Sequence, residues 1–442
     1  MAKRVNAIGN IDKTARTASG WKRRPPVVSV PWETANEPLF TKQRNQMNHP
    51  LCPLGSQAVV ASVALVGLLL GGTLAGANDN PPPPATSRLR LAVIKTLAQP
   101  VIARNTPGAE QIAGGFEAGT TVKVTIDGKP EYHLFSHAFQ TLGWERPQAD
   151  HWFSQDGLKW QPGGALLTPN TDQKTGLFCT YGHPTPFYVE KESQWHLSYS
   201  VFRNSKPGWT GGNTIVYSAK SKVHGAKGIY GPWDFPGEVV FVPGVSSPAT
   251  NMVAVSISCP FQVKDGRWAI FFCPSRDGHP IPMSSATQPW PVALSFGPSP
   301  TGPFTCLDPC EPIPMIDPPD FTENVLPIKV RGPKSGRDYW VAVFDFLAPE
   351  VSAYTPKNVF GFSWSEDGVH WPKEHGQVVN VDDGLAPGER GWWRGSWSIR
   401  TPHQMIDEGG GTYTVFFTGG THDSHFDDFR AVGMVKVKLV ED

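Results

Sequence analysis

One eight-residue pattern occurs twice in the chain, at Phe153–Trp160 and at Trp364–Trp371, and both copies read aromatic-Ser-x-Asp-Gly-x-x-Trp. Asp can hydrogen-bond to its own backbone and Gly accepts a positive φ, so each copy predicts a tight turn at the end of a strand. We expect the Trp to fold back over that turn. Internal repetition of this kind is typical of propellers and other repeat folds.

The composition supports turn-rich β structure. The 442 residues include 45 Gly, 44 Pro and 16 Trp, and the long apolar heptads of helix bundles are absent. Lys+Arg and Asp+Glu are equal at 39 each, whereas a nucleic-acid partner would favour an excess of basic residues. We therefore expect a neutral or locally charged ligand and no nucleic acid.

The N-terminal part is predicted to be a targeting region. Residues 1–46 are rich in Lys and Arg and form a basic extension that we expect to be disordered. Residues 47–77 contain an apolar run at 58–70 followed by Ala75-Gly76-Ala77, the pattern of a signal peptide cleaved near Ala77. The alternative is an uncleaved signal anchor, with residues 58–77 as the only membrane contact. Either reading predicts export to the periplasm or the cell exterior.

Residues 78–110 are predicted to be a linker, because Pro81–Pro84 is stiff and cannot join a β-ladder. The folded domain is therefore expected at 111–442. An exported chain can form disulfides, and two pairings remain open. They are Cys259 with Cys273, which flank a turn, and Cys306 with Cys310.

Five strand pairs follow residue 110, each with a Gly, Asp or Lys turn and each followed by a third strand. Five antiparallel units of similar length predict an all-β, five-bladed β-propeller, which hides its strand edges by closing into a ring. A β-sandwich is the alternative. The pairs are Thr121–Ile126 with Tyr132–Ser136, Pro184–Val189 with Trp195–Ser200, Pro260–Val263 with Trp268–Cys273, Val325–Val330 with Tyr339–Phe344, and Ile399–Met405 with Tyr413–Thr418.

The chain resembles the five-bladed propeller glycosidases, the group that holds arabinanases, xylosidases and fructosidases. The resemblance covers nearly all of 111–442 and rests on framework features. These are the two Ser-x-Asp-Gly-x-x-Trp turns, Tyr230-Gly231-Pro232-Trp233, Pro300-Thr301-Gly302-Pro303-Phe304 and the Lys264–Trp268 hairpin. It implies catalysis by two carboxyl groups that flank the scissile glycosidic bond.

The resemblance also implies where those carboxyl groups lie, namely where the innermost strand of a blade begins. The family pattern of Asp, Asp and Glu in blades one to three is replaced here by Glu117, His183, and Ser256 with Ser258. The second strand of each hairpin returns to this same face of the propeller, and the segments after it add further carboxylates. The predicted catalytic residues are Glu323, Glu117, Asp150 and Asp345, and the predicted substrate-binding residues are Trp393, Arg394, Arg400, His183, Asn324 and Asp277.

Trp393 is included because a flat indole suits the C–H face of a sugar, and the adjacent Arg394 can bind hydroxyl or carboxylate groups. Asp156 and Asp367 belong to the repeated turn and are expected to be structural. The resemblance further implies a structural Ca²⁺ near the propeller axis, where His183 and His403 are expected. No catalytic metal and no other cofactor is predicted.

Three functions are consistent with the sequence. The first is an exported glycoside hydrolase that acts on a polysaccharide or oligosaccharide by carboxylate acid/base catalysis. The second is a carbohydrate-binding propeller without activity. The third is a sialidase-like enzyme, which Arg394 and Arg400 suggest but which usually needs six blades.

Overall fold

The computed structural model describes residues 88–442 except 143–145, 205–212, 242–252, 276–291, 307–312, 317–320, 348–357, 394–398, 400 and 421–428. The predicted extension at 1–46, the signal or anchor at 47–77 and the first residues of the linker lie outside the described residues. Within the described ranges, no helix is long and apolar enough to cross a membrane.

The described chain is almost entirely β-structure, with five antiparallel sheets of four or five strands. One strand, β1, precedes the first blade at Leu89–Thr96. Blade 1 contains β2 (Gly115–Ile126), β3 (Lys129–Phe139), β4 (Pro147–Ser154) and β5 (Gln161–Leu167). Blade 2 contains β6 (Asn170–Thr171), β7 (Phe178–Val189), β8 (Gln194–Asn204), β9 (Asn213–His224) and β10 (Glu238–Phe241).

The last three blades follow the same plan. Blade 3 contains β11 (Val253–Ile257), β12 (Phe261–Gln262), β13 (Trp268–Ser275), β14 (Ala293–Gly297) and β15 (Thr305–Cys306). Blade 4 contains β16 (Phe321–Arg331), β17 (Asp338–Leu347), β18 (Val359–Ser365) and β19 (Gln377–Asn380). Blade 5 contains β20 (Thr401–Pro402), β21 (Ile406–Gly409), β22 (Thr412–Gly419) and β23 (Ala431–Glu441). Short 3-10 helices lie at Ala109–Gln111, Glu190–Glu192, Ala226–Tyr230, Lys373–His375 and Val381–Gly384.

The hydrophobic core lies between the blades rather than within one sheet. Separate apolar clusters fill the spaces between blades 1 and 2, 2 and 3, 3 and 4, 4 and 5, and 5 and 1. In each strand, successive side chains point to opposite faces of the sheet, and each face packs against a neighbouring sheet. All five sheets can have both faces covered in this way only if they form a closed ring. The predicted five-bladed propeller is therefore confirmed.

The ring is closed by a strand that the sequence analysis assigned to the linker. β1 pairs antiparallel with β23 along blade 5, and it buries Leu89 and Leu91 in the cluster between blades 4 and 5. The Gln377 side chain accepts from Leu91 N and donates to Leu91 O, both at 2.8 Å. The expected start of the folded domain at residue 111 is thus too late, because an N-terminal strand completes the last blade.

The repeated motif has the structural role predicted for it. In the first copy, Asp156 Oδ1 accepts from the backbone N–H groups of Leu158 and Lys159, each at 2.8 Å. The Trp160 indole donates to Gly157 O at 3.0 Å, and Trp371 donates to Gly368 O at the same distance in the second copy. Both aspartates are engaged by their own turns.

One of the two disulfides considered from the sequence is not formed. Cys259 is a buried free thiol, and its Sγ contacts Pro186 O at 3.7 Å. The Cys306–Cys310 pairing includes Cys310, which lies outside the described residues.

Candidate functional site

A β-bulge, with two residues opposite one residue of the partner strand, interrupts the inner strand of blades 1 to 4. The first bulge residue is Glu117 in blade 1, His183 in blade 2 and Asn324 in blade 4. His183 and Asn324 both have φ 51°, a left-handed conformation that residues other than Gly rarely adopt. Because bulges turn a side chain away from the regular alternation of the strand, these three positions form an equivalent set. Asn324, rather than Glu323, is the blade 4 counterpart of Glu117.

The predicted residues of blade 4 do come together. Glu323 pairs with Asp345 across the β16–β17 ladder, and the two residues are only 4% and 2% exposed. Asn324 Nδ2 donates to Asp345 Oδ2 at 2.8 Å, and Thr401 Oγ1 of blade 5 donates to the same oxygen at 3.4 Å. Directly opposed residues share one face of a sheet, so the structure places two buried carboxyl groups side by side.

The carboxylate of blade 1 is paired with an arginine from the far end of the chain. The buried Glu117 side chain forms an ion pair with Arg430 Nη1, and both side chains are 4% exposed. The Arg430 guanidinium also lies over the Phe139 ring, 4.2 Å from its centroid. Arg430 was not predicted, because it follows an acidic run and no local pattern connects it with residue 117.

Two imidazoles lie together at the bulge of blade 2. His137, on β3, meets His183 edge to face with the ring centroids 5.5 Å apart. Burial holds the pKa of His137 well below its usual value, and the charges of His183 and Arg430 lower it further. His137 is therefore a neutral side chain at neutral pH, and it is a second residue that sequence analysis missed.

The second predicted axial imidazole, His403, joins blade 5 to blade 1. Its Nδ1 lies 2.8 Å from Thr121 Oγ1, and burial lowers its pKa to about 4. Ca²⁺ prefers six to eight oxygen ligands with several carboxylates. Within the described ranges no group of three or more His, Cys, Asp or Glu side chains is arranged to hold a metal ion. These residues do not fit the Ca²⁺ that the resemblance implies.

Asp150 lies on β4, opposite Ser136, which in turn faces Gly119 at the edge of the blade 1 bulge. Its carboxylate accepts from Trp152 Nε1 and from Gln148 Nε2, each at 3.3 Å. Burial raises its pKa to about 6, although these two donors oppose the shift. A carboxyl group with such a pKa can give or take a proton near neutral pH, so Asp150 stays a catalytic candidate.

The prediction for Trp393 is wrong. The Trp393 indole is 1% exposed, packs in the cluster between blades 4 and 5, and donates to Asp382 Oδ1 at 3.0 Å. Its neighbour Trp392 packs against the same cluster, parallel to Phe417. Neither face of the Trp393 ring is open to a sugar. Three other predicted substrate-binding residues, Arg394, Arg400 and Asp277, lie outside the described residues.

The sequence matches no protein-family model and no curated protein. Many of the solved structures to which it is similar are glycoside hydrolases. These are enzymes of the groups that the sequence motifs resemble.

Three of these structures illustrate the likeness. An exo-1,5-alpha-L-arabinanase from a bovine ruminal metagenomic library is 14% identical, with a TM-score of 0.40 over 75% of this chain and 98% of that one. The GH43_1 enzyme from Xanthomonas citri, complexed with xylotriose, is 9% identical, with a TM-score of 0.44 over 77% and 90%. A fructofuranosidase from Schwanniomyces occidentalis, complexed with fructose, is 11% identical, with a TM-score of 0.47 over 78% and 62%.

Proposed function

We propose that the protein is a glycoside hydrolase that acts on a polysaccharide or oligosaccharide, with Glu117 and Glu323 as its principal carboxyl groups. The observation that carries the proposal is the contrast between their surroundings. Glu117 is paired with a cation, whereas Glu323 lies beside a second buried carboxyl group. Pairs of acids whose surroundings favour opposite protonation states are the arrangement that acid/base catalysis requires.

In this mechanism the proton comes from blade 4. The neighbouring Asp345 accepts hydrogen bonds from Asn324 and Thr401, which stabilise its ionised form, and a charged Asp345 favours a protonated Glu323. Glu323 then protonates the glycosidic oxygen as the bond from that oxygen to the anomeric carbon breaks. Glu117, a carboxylate, either activates the attacking water or attacks the anomeric carbon itself.

The test is activity on a panel of chromogenic glycosides and polysaccharides, with Glu117→Gln, Glu323→Gln and Asp150→Asn as variants. Glu190→Gln, at an exposed surface position, is the matched control. Acid/base catalysis contributes about 10²–10⁴-fold, so we expect losses of that size for the first two variants only. A wild-type protein as inactive as Glu323→Gln across a broad panel would contradict the proposal.

The substrate leaving group separates the two roles. An activated aryl leaving group departs without a proton, so Glu323→Gln should keep most of its activity on aryl glycosides with acidic phenols. Glu117→Gln should lose activity on activated and unactivated substrates alike. If Asp150 is the acid instead, Asp150→Asn rather than Glu323→Gln should keep most of its activity on aryl glycosides with acidic phenols.

A non-catalytic carbohydrate-binding protein is the second candidate. It is favoured by His183, which occupies the bulge of blade 2 with no carboxylate, and by Arg430, which neutralises Glu117. Calorimetric binding of an oligosaccharide without any release of product, equal in wild type and Glu117→Gln, would support this function instead.

We also propose that the protein is exported, on the basis of the basic flank, the apolar run at 58–70 and Ala75-Gly76-Ala77. N-terminal sequencing of the mature protein in cell fractions tests this. A new N-terminus near residue 78 indicates cleavage, an intact membrane-bound chain indicates an anchor, and an intact chain in the cytoplasmic fraction contradicts export.

A further inference from the structure

Arg430 is connected to the start of blade 1 through both its main chain and its side chain. Its backbone N–H donates to Gly114 O at 3.2 Å, and its carbonyl accepts from Phe116 N at 2.9 Å. These contacts lie on either side of Gly115, two residues before Glu117, and form a parallel bridge to it. The guanidinium then reaches Glu117 while it covers the Phe139 ring.

We propose that Arg430 is the positioning residue that holds Glu117 as a carboxylate with a fixed orientation. The consequence for catalysis rests on the proposed function, but the effect on Glu117 itself does not. Arg430 stands directly before β23, the strand that pairs with β1 to close the ring.

Burial alone would disfavour an ionised Glu117, since a carboxylate removed from water needs a compensating charge. The adjacent His137 does not provide that charge, because its low pKa leaves it neutral. Arg430 does, and its planar guanidinium also restricts the orientation of the carboxylate.

A purely structural role is the competing explanation. Buried ion pairs are poor evidence for stability, because well-packed neutral side chains of similar volume often replace them without loss. A structural role predicts that removing both charges is as harmful as removing Arg430 alone. A positioning role predicts that the harm comes from the uncompensated Glu117 and that the double variant folds.

The first experiment needs no substrate. One infrared difference spectrum compares wild type with Glu117→Gln, and a second compares Arg430→Met with Glu117→Gln/Arg430→Met. Each difference spectrum reports the carboxyl group of Glu117 in that background. At pH 6 we expect a carboxylate band in wild type and a protonated carboxyl band in Arg430→Met. A carboxylate band in both backgrounds would overturn the proposal.

Folding of the variants separates the proposed role of Arg430 from a purely structural one. If Arg430→Met does not fold and the double variant Glu117→Gln/Arg430→Met does, the uncompensated charge is the cause, as proposed. If neither folds, Arg430 is a structural residue and the proposal is wrong.

The second experiment uses kinetics. In Arg430→Met the acid limb of the kcat/KM profile should move to higher pH, in line with the protonated carboxyl band expected at pH 6. Arg430→Lys should restore part of the shift, and Arg267→Met, which breaks an exposed pair with Asp265, should leave the profile unchanged. An unchanged profile in Arg430→Met overturns the proposal. The expected infrared bands in a protein without hydrolase activity would support the Arg430 role and contradict only the proposed function.

Discussion

Glu323 and Asp345 face each other across the inner ladder of blade 4, and Asn324, in the bulge beside Glu323, donates to the Asp345 carboxylate at 2.8 Å. Thr401 brings a second donor to the same oxygen from blade 5. The bulge thus connects the two acids, because the amide of its first residue binds the carboxylate that lies directly opposite Glu323.

Substitution of Asn324 should separate its backbone role from its hydrogen bond. Asn324→Gly tolerates φ 51° but loses the donor, so the fold should be kept while kcat falls roughly 10–100-fold, the worth of a hydrogen bond to a charged group. Asn324→Ala should lose as much activity and also about 1–2 kcal/mol of unfolding free energy, because Ala is strained at that φ. Asp127→Gly, at an exposed turn with φ 51°, is the control and should leave kcat unchanged. Full activity of Asn324→Gly would contradict the role given to this amide.

Much of the fold was predictable because its signals are local. The Ser-x-Asp-Gly-x-x-Trp turns are closed by hydrogen bonds that span two or three residues, so their sequence determines their shape. The same holds for the hairpin turns with Gly at positive φ, such as Gly128 and Gly266. The closing strand Leu89–Thr96 was missed because its partner, β23, lies at the other end of the chain.

The site residues were predictable only where their positions follow from the order of strands in each blade. Counting hairpins located Glu117 and Glu323 at inner-strand starts and Asp345 where the second strand returns to the same face, which is where the structure has them. Arg430 and His137 were missed because their roles come from contacts between blades, one of them across 313 residues. Trp393 was assigned to substrate because it adjoins Arg394, whereas its actual partner is Asp382, from a 3-10 helix that the sequence did not reveal.

Removal of the closing strand should cost most of the stability of blade 5. Deletion of residues 1–87 should leave the unfolding free energy of the remaining chain unchanged. Deletion of residues 1–97 removes β1 with its buried Leu89 and Leu91, a loss of about 3–6 kcal/mol from the two side chains alone. Urea unfolding of both shortened proteins checks the difference. Equal stabilities would show that β1 does not contribute to closure.

Asp150 should make the protein less stable as the pH rises. Its pKa in the folded protein is about 6, against an ordinary value of 3.8, so its full contribution is present below pH 3.8 and is lost as the pH rises through 6. Relative to Asp150→Asn, wild type should lose about 1.4 kcal/mol per pH unit between pH 4 and 6. Urea titrations across that range measure the slope, with the exposed Asp234→Asn as control. A difference that is independent of pH would mean that Asp150 titrates normally.

A buried pair of histidines in blade 1 should act in the opposite direction and destabilise the protein in acid. His133 Nδ1 lies 3.1 Å from His151 Nε2, and the two rings are stacked. Glu131 Oε1 lies 3.0 Å from His133 Nε2 and also accepts from the Tyr230 hydroxyl, which belongs to blade 2. Burial lowers the pKa of each imidazole to about 3, and the charge of His133 adds to the shift at His151.

An unfolded histidine takes up a proton near pH 6.5, whereas these two resist protonation in the folded state. The stability that they provide is therefore complete above pH 6.5 and is lost as the pH falls towards 3. Removing one titrating group with His151→Gln should make the fall in unfolding free energy between pH 6 and pH 4 shallower by about 1.4 kcal/mol per pH unit. Urea unfolding at half-unit pH steps measures this slope. His224→Gln, at an exposed position, should keep the wild-type slope. Equal slopes for His151→Gln and wild type would show that the buried pair does not resist protonation.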